Sequence, residues 1–260
     1  MSTFPRDTSV DETRQTPQAI APPWHTFAVL LLLMGTSLGS ALTHHWTRPL
    51  TQHMASHYRS HVPTYAFALV WEWVLLAVVY CGLRIRHTPL RRLLGVRRQG
   101  VVEIWTDVAI AAGFWFASLV ALGAVGFLLR LVHLHPEDIR GIVSRMAPTS
   151  SAELALWVAL SISAGICEEL IFRGYLQQQF TALTRCIWLG IAISAVFFGL
   201  AHGYEGASGM LLIVLYGAFF GILAHLRRSL RAGMFAHAWH DSISGFVLYF
   251  GSHLLHRIPQ

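Results

Sequence analysis

One apolar run follows another through this chain. Each is close to the ~20 residues that a helix needs to cross ~30 Å of hydrocarbon. They lie at roughly Phe27–Leu42, Tyr65–Leu83, Val101–Leu129, Ala152–Gln178, Cys186–Ala201, Met210–Leu226 and Met234–Leu255. No water is present in a bilayer core to satisfy exposed backbone groups, so runs of this length must be helices and not open strands. The expected fold is therefore all-α: a polytopic transmembrane bundle of about seven spans, six to eight allowing for boundary errors. Composition agrees, with 54% hydrophobic and 12% charged residues, about half the charged share of a soluble domain. Neither an internal repeat nor a soluble domain is visible.

The net charge of +6 does not imply a nucleic-acid partner. The arginines cluster in short connectors between apolar runs, where the positive-inside rule accounts for them. The stretch RIRHTPLRRLLGVRR, residues 84–98, carries six arginines and places that connector in the cytoplasm. Alternation then puts the amino terminus, Arg185 and the turn with Arg227, Arg228 and Arg231 on the same side. Seven spans would leave the carboxyl terminus outside. Residues 1–23 are polar and Pro/Thr-rich and read as a disordered cytoplasmic tail. The run after them reads as an anchor and not a cleavable signal. Residues 24–150 form amino-terminal spans and connectors, with His44, His45, His53, His57 and His61 in the connector 43–64. Residues 151–255 form the core that carries the motifs. Cys81, Cys167 and Cys186 lack a CxxC spacing and read as small buried thiols.

Three motifs put polar groups where charge is costly. In CEELIFRGY, residues 167–175, Glu169 and Arg173 are spaced i, i+4 and can pair. Successive helical residues point about 100° apart, so Glu168 faces elsewhere without a local cation. In FFGLAHG, residues 197–203, Phe198 and His202 share a face. Glu168 and His202 flank a turn near Thr181–Arg185, and an antiparallel hairpin brings them to similar depth. In FAHAWHDS, residues 235–242, His237 and Asp241 are four apart, with His240 either a second ligand or an outsider. A carboxylate with two or three histidines suits activation of water. The carboxylate can act as general base, and the histidines can hold a divalent metal such as zinc or donate to an oxyanion. No HExxH zinc-protease motif occurs.

These residues resemble the CPBP family of intramembrane proteases, which includes type II CAAX prenyl endopeptidases, lysostaphin-resistance-A-like proteins and bacteriocin-processing (Abi) proteins. The pattern EExxxR, FxxxH and HxxxN/D on successive helices is matched by Glu168, Glu169 and Arg173, by Phe198 and His202, and by His237 and Asp241. The resemblance covers about residues 150–250. It implies an endopeptidase acting on a membrane-associated peptide, CAAX-type or leader-like, within the lipid bilayer. It assigns catalysis to Glu168, His202, His237 and Asp241, support to Glu169, Arg173 and Phe198, and a metal, where one is used, to His202 and His237. Asp241 departs from the asparagine that prenyl proteases tend to carry. A compact chain of this kind looks bacterial, which places it in an inner membrane. Two other readings stand beside this one. A non-catalytic scaffold or immunity-type member would keep the polar cluster as helix glue. A metal or proton transporter would use the 15 histidines with Glu72 and Asp107, but most histidines lie in connectors and no interrupted helix pair appears. The glycines of GYEGASG, residues 203–209, either admit a substrate backbone or form a flexible connector.

Overall fold

A computed structural model describes residues 18–54, 60–95, 100–133 and 146–255, with side chains except at 40–54 and 253–255. The described residues form an all-helical bundle without strands. Its helices are α1 (Pro23–Met54), α2 (Val62–Ile85), the short α3 (Arg91–Leu94), α4 (Val101–Leu131), α5 (Ser151–Thr184), α6 (Ile187–Ala201), α7 (Gly206–Arg227) and α8 (Arg231–Leu255). Four described helices, α2, α4, α5 and the Gly203–Arg227 segment containing α7, are long and apolar enough to cross a membrane. The apolar parts of α1 and α6 are shorter. Helix α8 has the length, but its histidines, Asp241 and serines dilute its apolar character. With these, the chain is a multi-pass membrane protein.

The ends of the elements follow local chemistry. Ser150 caps α5 by accepting from the Glu153 amide at 3.2 Å. Glu153 is itself buried and accepts from the Thr149 amide, the His61 amide and the Ser60 hydroxyl at 2.8, 2.8 and 3.0 Å. One carboxylate thus ties the start of α5 to the start of α2. Arg185, with φ of 56°, makes the tight turn into α6.

Several sequence expectations need correction. Helix α1 continues through the first part of the expected connector 43–64, as far as Met54, because 43–54 contains no break except Pro49. His57 lies outside the described residues, as do residues 1–17 of the expected tail. The rest of that tail is ordered. Ile20 and Ala21 are buried, and the Gln179 side chain accepts from both their amides and donates to the Ala21 carbonyl. A side-chain amide supplies both the donor and the acceptors that an extended backbone needs. Of the cysteines, Cys167 is buried, Cys186 is partly covered and Cys81 is exposed, because it lies on the outward face of α2; all three are free thiols. The GYEGASG stretch is a 3₁₀ turn (Gly203–Glu205) running into α7, not a loose connector.

Asp107, fully buried in α4, bonds Arg227 and Arg231 at 2.7 Å each. This ion-pair cluster clamps α4 to the turn between α7 and α8 and gives Asp107 a structural explanation. Gly165 brings α5 and α8 into backbone contact. A Cβ there would stand 2.8 Å from the Met234 carbonyl oxygen and 2.9 Å from the Ala238 amide nitrogen. Both are backbone atoms, so Gly165→Ala must push the helices apart. It is expected to cost about 1–3 kcal/mol, read as a lower unfolding temperature in detergent.

Candidate active site

The EELIFR motif sits where α5 changes winding. Residues Ser151–Glu168 are α-helical, Glu169–Leu176 are π-helical, and Gln177–Thr184 return to the α form. Across the change the Gln177 amide bonds the Phe172 carbonyl, five residues back. That carbonyl also accepts from the Ser194 hydroxyl of α6 at 2.7 Å, which fastens the segment to its neighbour. All eight π-helical residues are buried. An isolated amphipathic helix would leave one face outside, whereas here surrounding helices cover every side.

Within this segment Arg173 donates to Glu169 at 2.8 Å, with both side chains at or below 1% exposure. The i, i+4 pair is therefore present. Arg173 also donates to the Gly217 carbonyl at 3.1 Å. Its guanidinium lies over two aromatic faces, 4.3 Å from the Phe198 ring centre and 4.9 Å from that of Phe220. Ring stacking, a carbonyl and a carboxylate together compensate a buried cation.

Glu168 does not face away from this set. His237 of α8 stands between the two acids, its Nδ1 3.3 Å from Glu169 Oε1 and its Nε2 3.6 Å from Glu168 Oε2. The 100° divergence is bridged because the two nitrogens of an imidazole point in different directions. Asp241, one turn along α8, brings Oδ2 to 3.5 Å from the same Nε2. Exposure divides the acids: Glu169 is closed off at 0%, while the Glu168 and Asp241 side chains are 20% and 32% exposed. Glu168 Oε2 is buried and makes no hydrogen bond among the described residues; its contact with His237 is an ion pair.

His202 ends α6, where its Nδ1 lies 2.8 Å from the Phe198 carbonyl oxygen. A carbonyl accepts only, so Nδ1 carries the proton, and Nε2 is the accepting nitrogen of the neutral ring. Phe198 joins the parts: its ring centre is 4.9 Å from that of His202 and 6.1 Å from that of His237. Asp241 lies in electrostatic range of both Glu168 and His202. The structure thus gathers Glu168, Glu169, Arg173, Phe198, His202, His237 and Asp241 into one region. His240 stands apart, edge-on to Tyr216 with ring centres 5.1 Å apart.

Both nitrogens of His237 face carboxylate oxygens, and Nδ1 of His202 is spent on a carbonyl. Among the described residues no three His, Cys, Asp or Glu side chains converge as a ligand set. As arranged, His202 and His237 do not fit a shared divalent ion, and the chemistry below is derived without one.

Two contributors escape the motif reading. Phe220, the second face on Arg173, is one of several apolar residues in α7, and nothing in its spacing separates it from core. Glu72 was visible as an acid in an apolar span, but its partner was not. It accepts from the Ser163 hydroxyl of α5 at 2.8 Å.

Residues 150–243 match the family model described as type II CAAX prenyl endopeptidase, Rce1-like. This is the CPBP/CAAX protease family that the motifs resemble. The matched segment begins at the Ser150 cap of α5 and ends just past Asp241 in α8, so it contains the whole of the gathered set, while Glu72 lies outside it. No curated protein and no solved structure matches the chain.

Proposed function

We propose that the protein is an integral-membrane endopeptidase that hydrolyses a peptide bond of a membrane-associated substrate, CAAX-type or leader-like. The observation that carries this reading is Glu168: a carboxylate on a partly accessible side chain, with Oε2 3.6 Å from an imidazole that also faces Asp241. Glu168 takes a proton from water as the oxygen attacks the scissile carbonyl, and returns it to the leaving amine. His202 accepts from that water through Nε2 and orients it. His237 holds Glu168 and Asp241 at fixed positions through its Nε2. The Glu169–Arg173 pair, closed to solvent, keeps α5 in register beneath the reacting atoms. The match of residues 150–243 to the Rce1-like family model supports the reaction class.

The cytoplasmic amino terminus and a bacterial inner membrane belong to the same proposal. Contacts between Arg92 and the Gln18 carbonyl, and between the Leu230 amide and the Leu94 carbonyl, support the orientation. They bring the amino-terminal segment, the arginine-rich connector and the α7–α8 turn to one end of the bundle.

The test is the full chain in liposomes with a fluorogenic farnesylated CAAX peptide. Wild type is expected to cleave it, and His202→Ala to lose about 10²-fold in kcat. A folded wild type that cleaves neither this peptide nor a membrane-tethered leader peptide would overturn the reading in favour of a non-catalytic member of the family.

A further inference from the structure

A polar cleft of about 140 Å³ opens at the arginine-rich end of the bundle, lined by Gln18, Arg92, Gln177, Gln178, Thr181 and Ile187. None of these residues belongs to the acid–histidine set. The walls are fixed by hydrogen bonds. The Arg92 amide donates to the Pro89 carbonyl at 2.9 Å, and the Arg92 carbonyl accepts from the Gln178 side chain at 3.2 Å. The Thr181 hydroxyl donates to the Gln177 carbonyl at 2.7 Å. The Arg92 backbone is held on both sides, so its guanidinium is presented from a set position. That guanidinium donates to the Gln18 carbonyl at 3.3 Å and, among the described residues, pairs with no acid. Arg227 and Arg231 at the same end differ, because Asp107 takes both. Arg92 and Arg185 are exposed cations without such compensation.

The surface beside the cleft identifies an occupant. Ile187 opens α6, and the next two residues, Trp188 and Leu189, are 60% and 50% exposed. In a membrane protein such side chains meet lipid, and a tryptophan near a helix end marks the headgroup level. A cation above an apolar strip is the complement of an anionic phospholipid. The guanidinium takes the phosphate through charge-assisted hydrogen bonds, and the acyl chains lie along α6. Basic pockets between spans bind anionic headgroups in this way. A zwitterionic headgroup would bring a second cation towards Arg92 and Arg185. We propose that this cleft binds the headgroup of an anionic phospholipid, with Arg92 as the phosphate ligand. The proposal does not depend on the endopeptidase reading.

The test titrates the full chain in detergent with phosphatidylglycerol or phosphatidylcholine and reads bound lipid by native mass spectrometry. Wild type is expected to hold one phosphatidylglycerol about fivefold more tightly than phosphatidylcholine, the discrimination expected of one interfacial arginine. Arg92→Gln is expected to lose that preference with an unchanged unfolding temperature, since the side chain is exposed. Arg84→Gln, at an exposed arginine outside the cleft, is expected to keep it. Equal wild-type affinity for the two lipids, or a preference that survives in Arg92→Gln, would overturn the proposal. So would an equal loss in both variants, which would mean diffuse attraction to the whole arginine-rich end. Displacement of the lipid by inorganic phosphate would assign the cleft to a free anion and overturn the lipid as its occupant.

Discussion

Glu168→Gln is expected to give a folded protein that cleaves the reporter about a thousandfold more slowly, within the range spanned by loss of a general base. Glutamine has the size of glutamate and fills the same space beside His237, so the local packing survives. It cannot take a proton from water. The side chain is 20% exposed and bonds no helix backbone, so the change should leave the unfolding temperature close to that of wild type. Size-exclusion chromatography in detergent and a kcat measurement in liposomes check the two halves. A variant that folds and retains wild-type kcat would remove Glu168 from the chemistry.

Arg173→Ala should act in the opposite way, through stability. The guanidinium is 1% exposed and holds Glu169, the Gly217 carbonyl and two aromatic faces. Its removal leaves Glu169 with no cation at 0% exposure, with only His237 at 3.3 Å. Breaking one side of a buried pair costs about 3–5 kcal/mol, and the lost stacking adds a cavity between Phe198 and Phe220. The expected result is a large fall in unfolding temperature or failure to accumulate in the membrane. Arg173→Lys should recover only part of the loss, because an ammonium cannot fill the planar space between two rings. Wild-type unfolding behaviour in Arg173→Ala would show that the pair contributes nothing net.

Tests at Glu168 and Arg173 come from one six-residue stretch, and the sequence separated their roles only in part. Spacing alone paired Glu169 with Arg173, since i, i+4 neighbours meet on any helix. The same rule turned Glu168 away, and there it failed. Which neighbour fills the angle between two side chains is a tertiary fact, and His237 lies 68 residues further along the chain. The winding change at Glu169 was equally hidden, because a π segment is fixed by contacts such as Ser194 on the Phe172 carbonyl. For His202 the reverse holds. Glu168 and His202 stand at comparable distances in sequence on either side of the turn near Thr181–Arg185, and hairpin geometry needs only that count to bring them within about one turn of the same depth.

The sequence by itself determined the all-helical membrane fold, the order of the apolar helices and the three polar motifs on them. It could do so because backbone satisfaction in lipid and helical periodicity are local constraints. The tertiary structure decided which polar groups share a site. It set His237 between two glutamates, enclosed Arg173 between two rings, gave Asp107 to two arginines, and brought Glu72 from a distant helix to Ser163. Those pairings depend on how helices far apart in sequence pack together, and no spacing within one helix encodes that.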